Sequence, residues 1–149
     1  MNFKEKVYLQ CLQLIADKVT TLQAMLDDLR ESEKNETKST AGDKHETARA
    51  HLQLEQENVR RQLKEISDQK TALEQLNVNL VPVAVAKGSL VKTDKGYFFI
   101  GVAIGKVMVN ELTVFALSPQ SPLGIKLMGS KPGSTIKMND TTYFIECIN

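Results

Sequence analysis

Apolar residues recur along the first part of the chain at Tyr8, Leu12, Ile15, Val19, Leu22, Leu26 and Leu29, alternately four and three positions apart. That is the a/d repeat of a coiled-coil seam, and it predicts one long helix with a narrow apolar stripe among Lys, Gln, Asp and Thr. The spacing returns between Thr47 and Leu80 with Leu52, Val59, Leu63, Ile66, Leu73 and Leu80, while Gln56, Lys70 and Asn77 take seam positions. Polar residues in a seam cost stability and can fix register. Between the stripes, residues 30–46 hold no apolar side chain larger than Ala, so the two helices are expected to pair antiparallel around a polar tip. Thirty helical residues rise roughly 45 Å.

Beyond Leu80 the pattern changes. Leu80–Ala86, Gly96–Ile104, Lys106–Val109, Leu112–Leu117 and Thr141–Ile148 are short apolar or β-branched runs, and they predict strands. Lys87-Gly88, Asp94-Lys95-Gly96, Asn110-Glu111 and Asn139-Asp140 separate them as turns. Tyr97–Ile104 is almost wholly apolar and reads as a central strand covered on both faces. One helix interrupts the strands. In Ser121–Gly129 a Ser precedes Pro at the first helical position and a Gly follows the end, which predicts two turns covering a sheet face with Leu123, Leu127 and Met128. The fold class is therefore α+β: residues 1–79 as an antiparallel coiled-coil hairpin with its tip at about 30–46, and residues 80–149 as a small, mostly β domain.

Composition reinforces this division. The 149 residues carry a formal net charge of +1, but residues 1–80 are net −2 with no proline and one glycine, whereas 81–149 are net +3 with all four prolines and seven glycines. The 42% apolar content excludes a disordered chain, and the near-zero charge excludes a broad basic surface for nucleic acid. Cys11 and Cys147 are too few for a disulfide framework or a four-thiolate zinc site, and they read as thiols in a reducing compartment. The opening MNFKEKVYLQ carries charge with no apolar stretch after it, and no apolar run reaches the length of a membrane span, so a cytoplasmic protein without membrane contact is expected. Each helix has one stripe, occupied by pairing within the chain, so a monomer is expected.

Candidate chemistry is sparse. There is no Gly-rich phosphate loop with a following Lys-Ser/Thr, and no Gly-x-Ser-x-Gly elbow. A self-contained active site is not expected, and the tip draws attention instead. Asp43 and Glu46 stand three residues apart at the start of the second helix. As N-cap and N3 they form a capping box and suit the positive end of a helix. The same pair can also hold a hydrated Mg²⁺ if another group supplies the remaining ligands, since Mg²⁺ takes few protein carboxylates and keeps its waters. His45 lies between the acids, within reach of metal or RNA, but on an exposed loop it reads as solvated; His51 reads as a helix flank. Lys34, Lys38 and Lys44 are interleaved with Glu31, Glu33 and Glu36, the pattern of a charge-balanced loop.

A coiled-coil hairpin, Gly42-Asp43-x-x-Glu46-x-Ala48 at its tip and a compact C-terminal domain together resemble the bacterial Gre-type transcript cleavage factors. The family's tip reads approximately Gly-Asp-Leu-x-Glu-Asn-Ala-Glu-Tyr-His. Gly42, Asp43, Glu46, Ala48 and His51 match in register, while Thr47, Arg49 and Ala50 replace Asn, Glu and Tyr. The segment from Ser118-Pro119 through Ser121, Pro122, Leu123, Gly124 and Gly129 to Gly133 is similar to the family's Ser-Pro-(Ile/Leu)-(Ala/Gly)-x-x-Leu-(Ile/Met)-Gly stretch. The usual N-terminal Leu-Thr-x-x-Gly is missing.

The resemblance implies an FKBP-like C-terminal domain that docks at the rim of the RNA polymerase secondary channel. It implies a hairpin reaching the nascent RNA 3′ end, with Asp43 and Glu46 helping to hold a Mg²⁺ shared with polymerase, so that polymerase cleaves its own backtracked transcript. The chain is then not itself an enzyme. Ser121, Pro122, Leu123, Gly124 and Gly129 become polymerase-facing candidates by motif position. Two other classes compete: a channel-binding regulator without cleavage, and a peptidyl-prolyl isomerase, disfavoured because the chain has no Trp for the base of an isomerase pocket.

Overall fold

The computed structural model describes the backbone of residues 1–38 and 43–149 and the side chains of 1–36 and 46–149. Two long helices, α1 (Phe3–Lys38) and α2 (Asp43–Glu74), precede β1 (Leu90–Thr93), β2 (Gly96–Ile100), β3 (Gly105–Val109), β4 (Leu112–Leu117), α3 (Pro122–Leu127), β5 (Thr135–Met138) and β6 (Thr141–Ile148). The fold is α+β, with a mixed sheet in the order β3-β4-β2-β1-β6-β5. Compactness divides the chain into residues 15–70 and a second unit of 1–14 together with 71–149.

In residues 15–70 the predicted stripe carries the packing. Ile15 and Leu26 of α1 and Val59 and Ile66 of α2 are buried, with Val19, Leu22, Leu29 and Leu63 half-buried beside them. Helix occupies much of the segment expected to be a polar tip, since α1 runs on to Lys38 and α2 begins at Asp43. The reason is local: Glu, Lys and Arg are good helix formers, and residues 30–38 contain neither Gly nor Pro. The 36 residues of α1 span about 54 Å at 1.5 Å per residue.

In the second unit the start of α1 packs differently. Val7 and Cys11 are fully buried while Tyr8 and Leu12 are half-buried, one position out of step with the expected seam. Here three contacts tie the helix to the C-terminal part of the chain. Tyr8 Oη donates to the Leu73 carbonyl at 2.9 Å, Lys4 Nζ donates to the Leu80 carbonyl at 2.8 Å, and the Phe3 and Tyr97 rings lie 5.1 Å apart. Burial lowers the Lys4 ammonium from its ordinary value and pushes the Cys11 thiol up to about 12.

α2 ends at Glu74, short of the expected Leu80. Asn77 turns the chain, its Oδ1 accepting from the Asn79 amide at 3.1 Å. The expected strand over Leu80–Ala86 does not form, because Pro82 lacks an amide hydrogen for a ladder and Val81 and Val83 point to solvent. Val85 alone turns inward and exchanges backbone hydrogen bonds with Gly129 and Ser130 at 2.8 Å each. The first strand is instead Leu90–Thr93.

The expected central strand is present, but it stops at Ile100 rather than Ile104. It pairs antiparallel with β1 and parallel with β4, and Phe98, Phe99 and Ile100 are all buried, so both faces are covered. On one face Val91, Phe98, Ile100, Ile145 and Ile148 form a core with Val85 and Leu127, flanked by Leu123 and Met128 as the pattern predicted. The β3–β4 turn places Asn110 and Glu111 at φ 51° and 64°, the left-handed pair that a tight hairpin requires.

Candidate functional site

The resemblance rests on two segments, and the fold treats them differently. Residues 118–130 form a tightly determined local structure. Ser121 Oγ accepts from the Gly124 amide at 3.0 Å, capping α3, and donates to the Ser118 carbonyl at 2.7 Å. Pro122 takes the first helical position, where its missing amide hydrogen costs nothing. Gly124 is buried, and a Cβ there would stand 2.1 Å from the Ser118 carbonyl oxygen, so no other residue fits this approach. Leu123 packs against the core, and Gly129 leaves the helix at φ 80°, a left-handed position suited to glycine. Ser121, Leu123 and Gly124 thus each have a role within the fold, while Pro122 is exposed. The neighbouring outward apolar residue is Ile125, 64% exposed.

The first segment stands in contrast. Glu46 lies in the first turn of α2, directly after the connection between the long helices, and its side chain is exposed. None of residues 46–50 is buried. Gly42, and the side chains of Asp43, Lys44 and His45, lie outside the described residues, and so does the expected capping box. His51 is exposed, in keeping with a helix flank.

One turn beyond Glu46, Arg49 reverses the charge of the resembled motif, and a partner meets it. Arg49 Nε lies 3.8 Å from Oε1 of Glu33 on α1. Glu33 also accepts from Gln53 Nε2 at 2.8 Å and from Gln56 Nε2 at 2.6 Å. Those two amide hydrogen bonds, followed by the nearby Arg49 and Arg60 charges, hold its carboxyl below the ordinary 4.5. Gln56, flagged by the pattern as a polar seam residue, is 3% exposed, and its Oε1 accepts from Arg60 at 3.0 Å. The charge pattern alone shows Glu33 only as part of a charged loop. The available signal was its phase, four residues after Leu29, which continues the α1 stripe.

Mg²⁺ favours oxygen ligands with several waters retained, and the exposed Glu46 carboxylate fits as one such donor. Among the described residues no group of three or more His, Cys, Asp or Glu side chains could hold a metal by itself. No helix among the described residues is long and apolar enough to cross a membrane.

No protein-family model matches the chain, and no curated protein matches it. Among solved structures it is similar to GreA factor homolog 1 (Gfh1) of Thermus thermophilus, at 13% identity over 93% of this chain and 94% of that one, with a TM-score of 0.38. A second structure, of the transcription factor Gfh1, is 15% identical over 95% of this chain and 90% of that one, with a TM-score of 0.34. Superpositions this loose carry no functional argument.

Proposed function

We propose that this chain is a Gre-type transcription factor that binds in the RNA polymerase secondary channel and presents Asp43 and Glu46 to the polymerase active centre. One observation carries the reading: an acid of the tip motif, Glu46, sits exposed in the first helical turn after the connection of two long helices, and none of the side chains of residues 46–50 is buried. The resembled Ser-Pro segment, folded as a capped helix behind the hairpin in sequence, supports it.

In this reading Asp43 and Glu46 would hold a Mg²⁺ jointly with polymerase, and the ion supplies Lewis-acid polarisation and an activated water for phosphodiester hydrolysis. The chain contributes carboxylate oxygens and their placement on a rigid helix, and polymerase performs the cleavage. The test uses purified protein, stalled backtracked polymerase and Mg²⁺. Short 3′ RNA fragments are released by the native chain, and Asp43→Ala with Glu46→Ala abolishes release while polymerase binding persists. Absence of release by the native chain overturns the cleavage reading.

A channel-binding regulator without cleavage is favoured by a different observation, the Arg49 cation one turn from Glu46. Retained binding with no fragments from the native chain selects it.

A further inference from the structure

We infer that Glu33, with Gln53, Gln56, Arg49 and Arg60, is a register lock that positions Glu46 along the hairpin axis; the positioning role rests on the function proposed above. Gln53 Nε2 donates to Glu33 Oε1 at 2.8 Å, and Gln56 Nε2 donates to Oε2 at 2.6 Å. Arg49 Nε lies 3.8 Å from Oε1, and Arg60 Nη2 donates to Gln56 Oε1 at 3.0 Å. Residues 49, 53, 56 and 60 fall at helical spacing along one face of α2. A single carboxylate of α1 therefore engages three successive turns of α2, and both of its oxygens are in use.

The apolar seam cannot make this selection. Val19, Leu22, Leu26 and Leu29 of α1 and Val59, Leu63 and Ile66 of α2 form stripes that repeat every heptad, so an apolar pairing looks nearly the same after one helix slides past the other by one repeat. The Glu33 carboxylate, bonded to Gln53 and Gln56, supplies what the apolar stripe lacks. Sliding by one heptad, about 10.5 Å, separates Glu33 from Gln56 and leaves a 3% exposed amide without its acceptor. Because Arg49 is one turn from Glu46 on the same helix, holding Arg49 against Glu33 holds the Glu46 carboxylate at one axial position.

The experiment separates register from stability. Nitroxide labels at Asp28→Cys and Arg61→Cys, in a Cys147→Ser background with Cys11 buried, report the axial relation of the helices by electron spin resonance. The native seam gives one distance. Glu33→Leu with Gln56→Leu stays helical with an equal or higher thermal midpoint, yet gives two or more distances. Glu33→Gln with Gln56→Glu, which exchanges acid and amide, restores one. Stimulation of transcript cleavage falls on the order of tenfold in the leucine pair and recovers in the exchanged pair. Glu33→Ala gives the same broadening in a variant that changes one side chain.

A single unchanged distance in both the leucine and alanine variants overturns the lock, whatever the cleavage result. A broadened register with undiminished cleavage overturns its positioning role. No cleavage by the native chain, with a broadened register in the variants, overturns the function proposed above and leaves the lock standing.

Discussion

Residues 118–130 and residues 43–49 both match a motif, but they stand in opposite relations to the fold. In the first, Ser121 caps a helix, Gly124 admits a carbonyl where no Cβ fits, and Leu123 and Leu127 close a core. Folding alone explains those residue types. In the second, the described side chains are exposed or half-buried, and stability asks little of Glu46. A motif that the fold explains is weak evidence for a partner, and an acid held out in solvent, as Glu46 is, is stronger evidence.

Four measurements test the contrast. The largest effect belongs to Gly124→Ala, which drives a methyl into the Ser118 carbonyl at 2.1 Å and should destabilise the sheet unit by about 3 kcal/mol in chemical denaturation. A neutral result would remove the structural explanation for the second motif. Ser121→Ala removes the cap of α3 and should cost about 1 kcal/mol, with Ser121→Thr retaining most of it.

Acid gives a smaller effect on the hairpin. The folded Glu33 carboxyl titrates below its ordinary 4.5, so its contribution is complete above that value and disappears as pH falls through the lowered one. Helicity followed by circular dichroism should therefore lose thermal stability below about pH 4.5, and Glu33→Gln should flatten that part of the profile. Parallel curves for the two proteins would show that the carboxylate pairing is energetically silent. Smallest of all, Glu46→Ala should shift stability by less than about 0.5 kcal/mol, even as fragment release is lost. A large loss of stability would turn Glu46 into a structural residue and erase the contrast.

The pattern of residues revealed the fold where one physical demand dominated. Leu112–Leu117 and Thr141–Ile148 formed strands over the expected ranges, and Ser121-Pro122 marked the start of α3, because alternation and capping are local. Leu80–Ala86 looked like a strand by composition, but Pro82 and the outward Val81 and Val83 prevented pairing. β1 and β5 are four residues each and bring too little pattern to stand out. The shift from Tyr8 and Leu12 to Val7 and Cys11 arises from tertiary contacts that no heptad encodes. At the candidate site, the exposed acid could be read from the motif, while the Glu33 cluster required knowing which residue of α1 stands opposite Gln56.

The contacts at the start of α1 bear on how the chain matures during synthesis. Phe3, Lys4 and Tyr8 leave the ribosome well before their partners Tyr97, Leu80 and Leu73, which emerge some 65 to 94 residues later. β6 closes against β1 through residues made some 52 to 57 positions after their partners. Residues 15–70 can pair as soon as both helices are available, whereas the sheet unit must await its final strand, and its opening helical turns wait with it. The opening turns of α1 are therefore buried long after they are translated, and an assay of nascent chains should find Cys11 open to thiol reagents until the rest of its compact unit has cleared the exit tunnel.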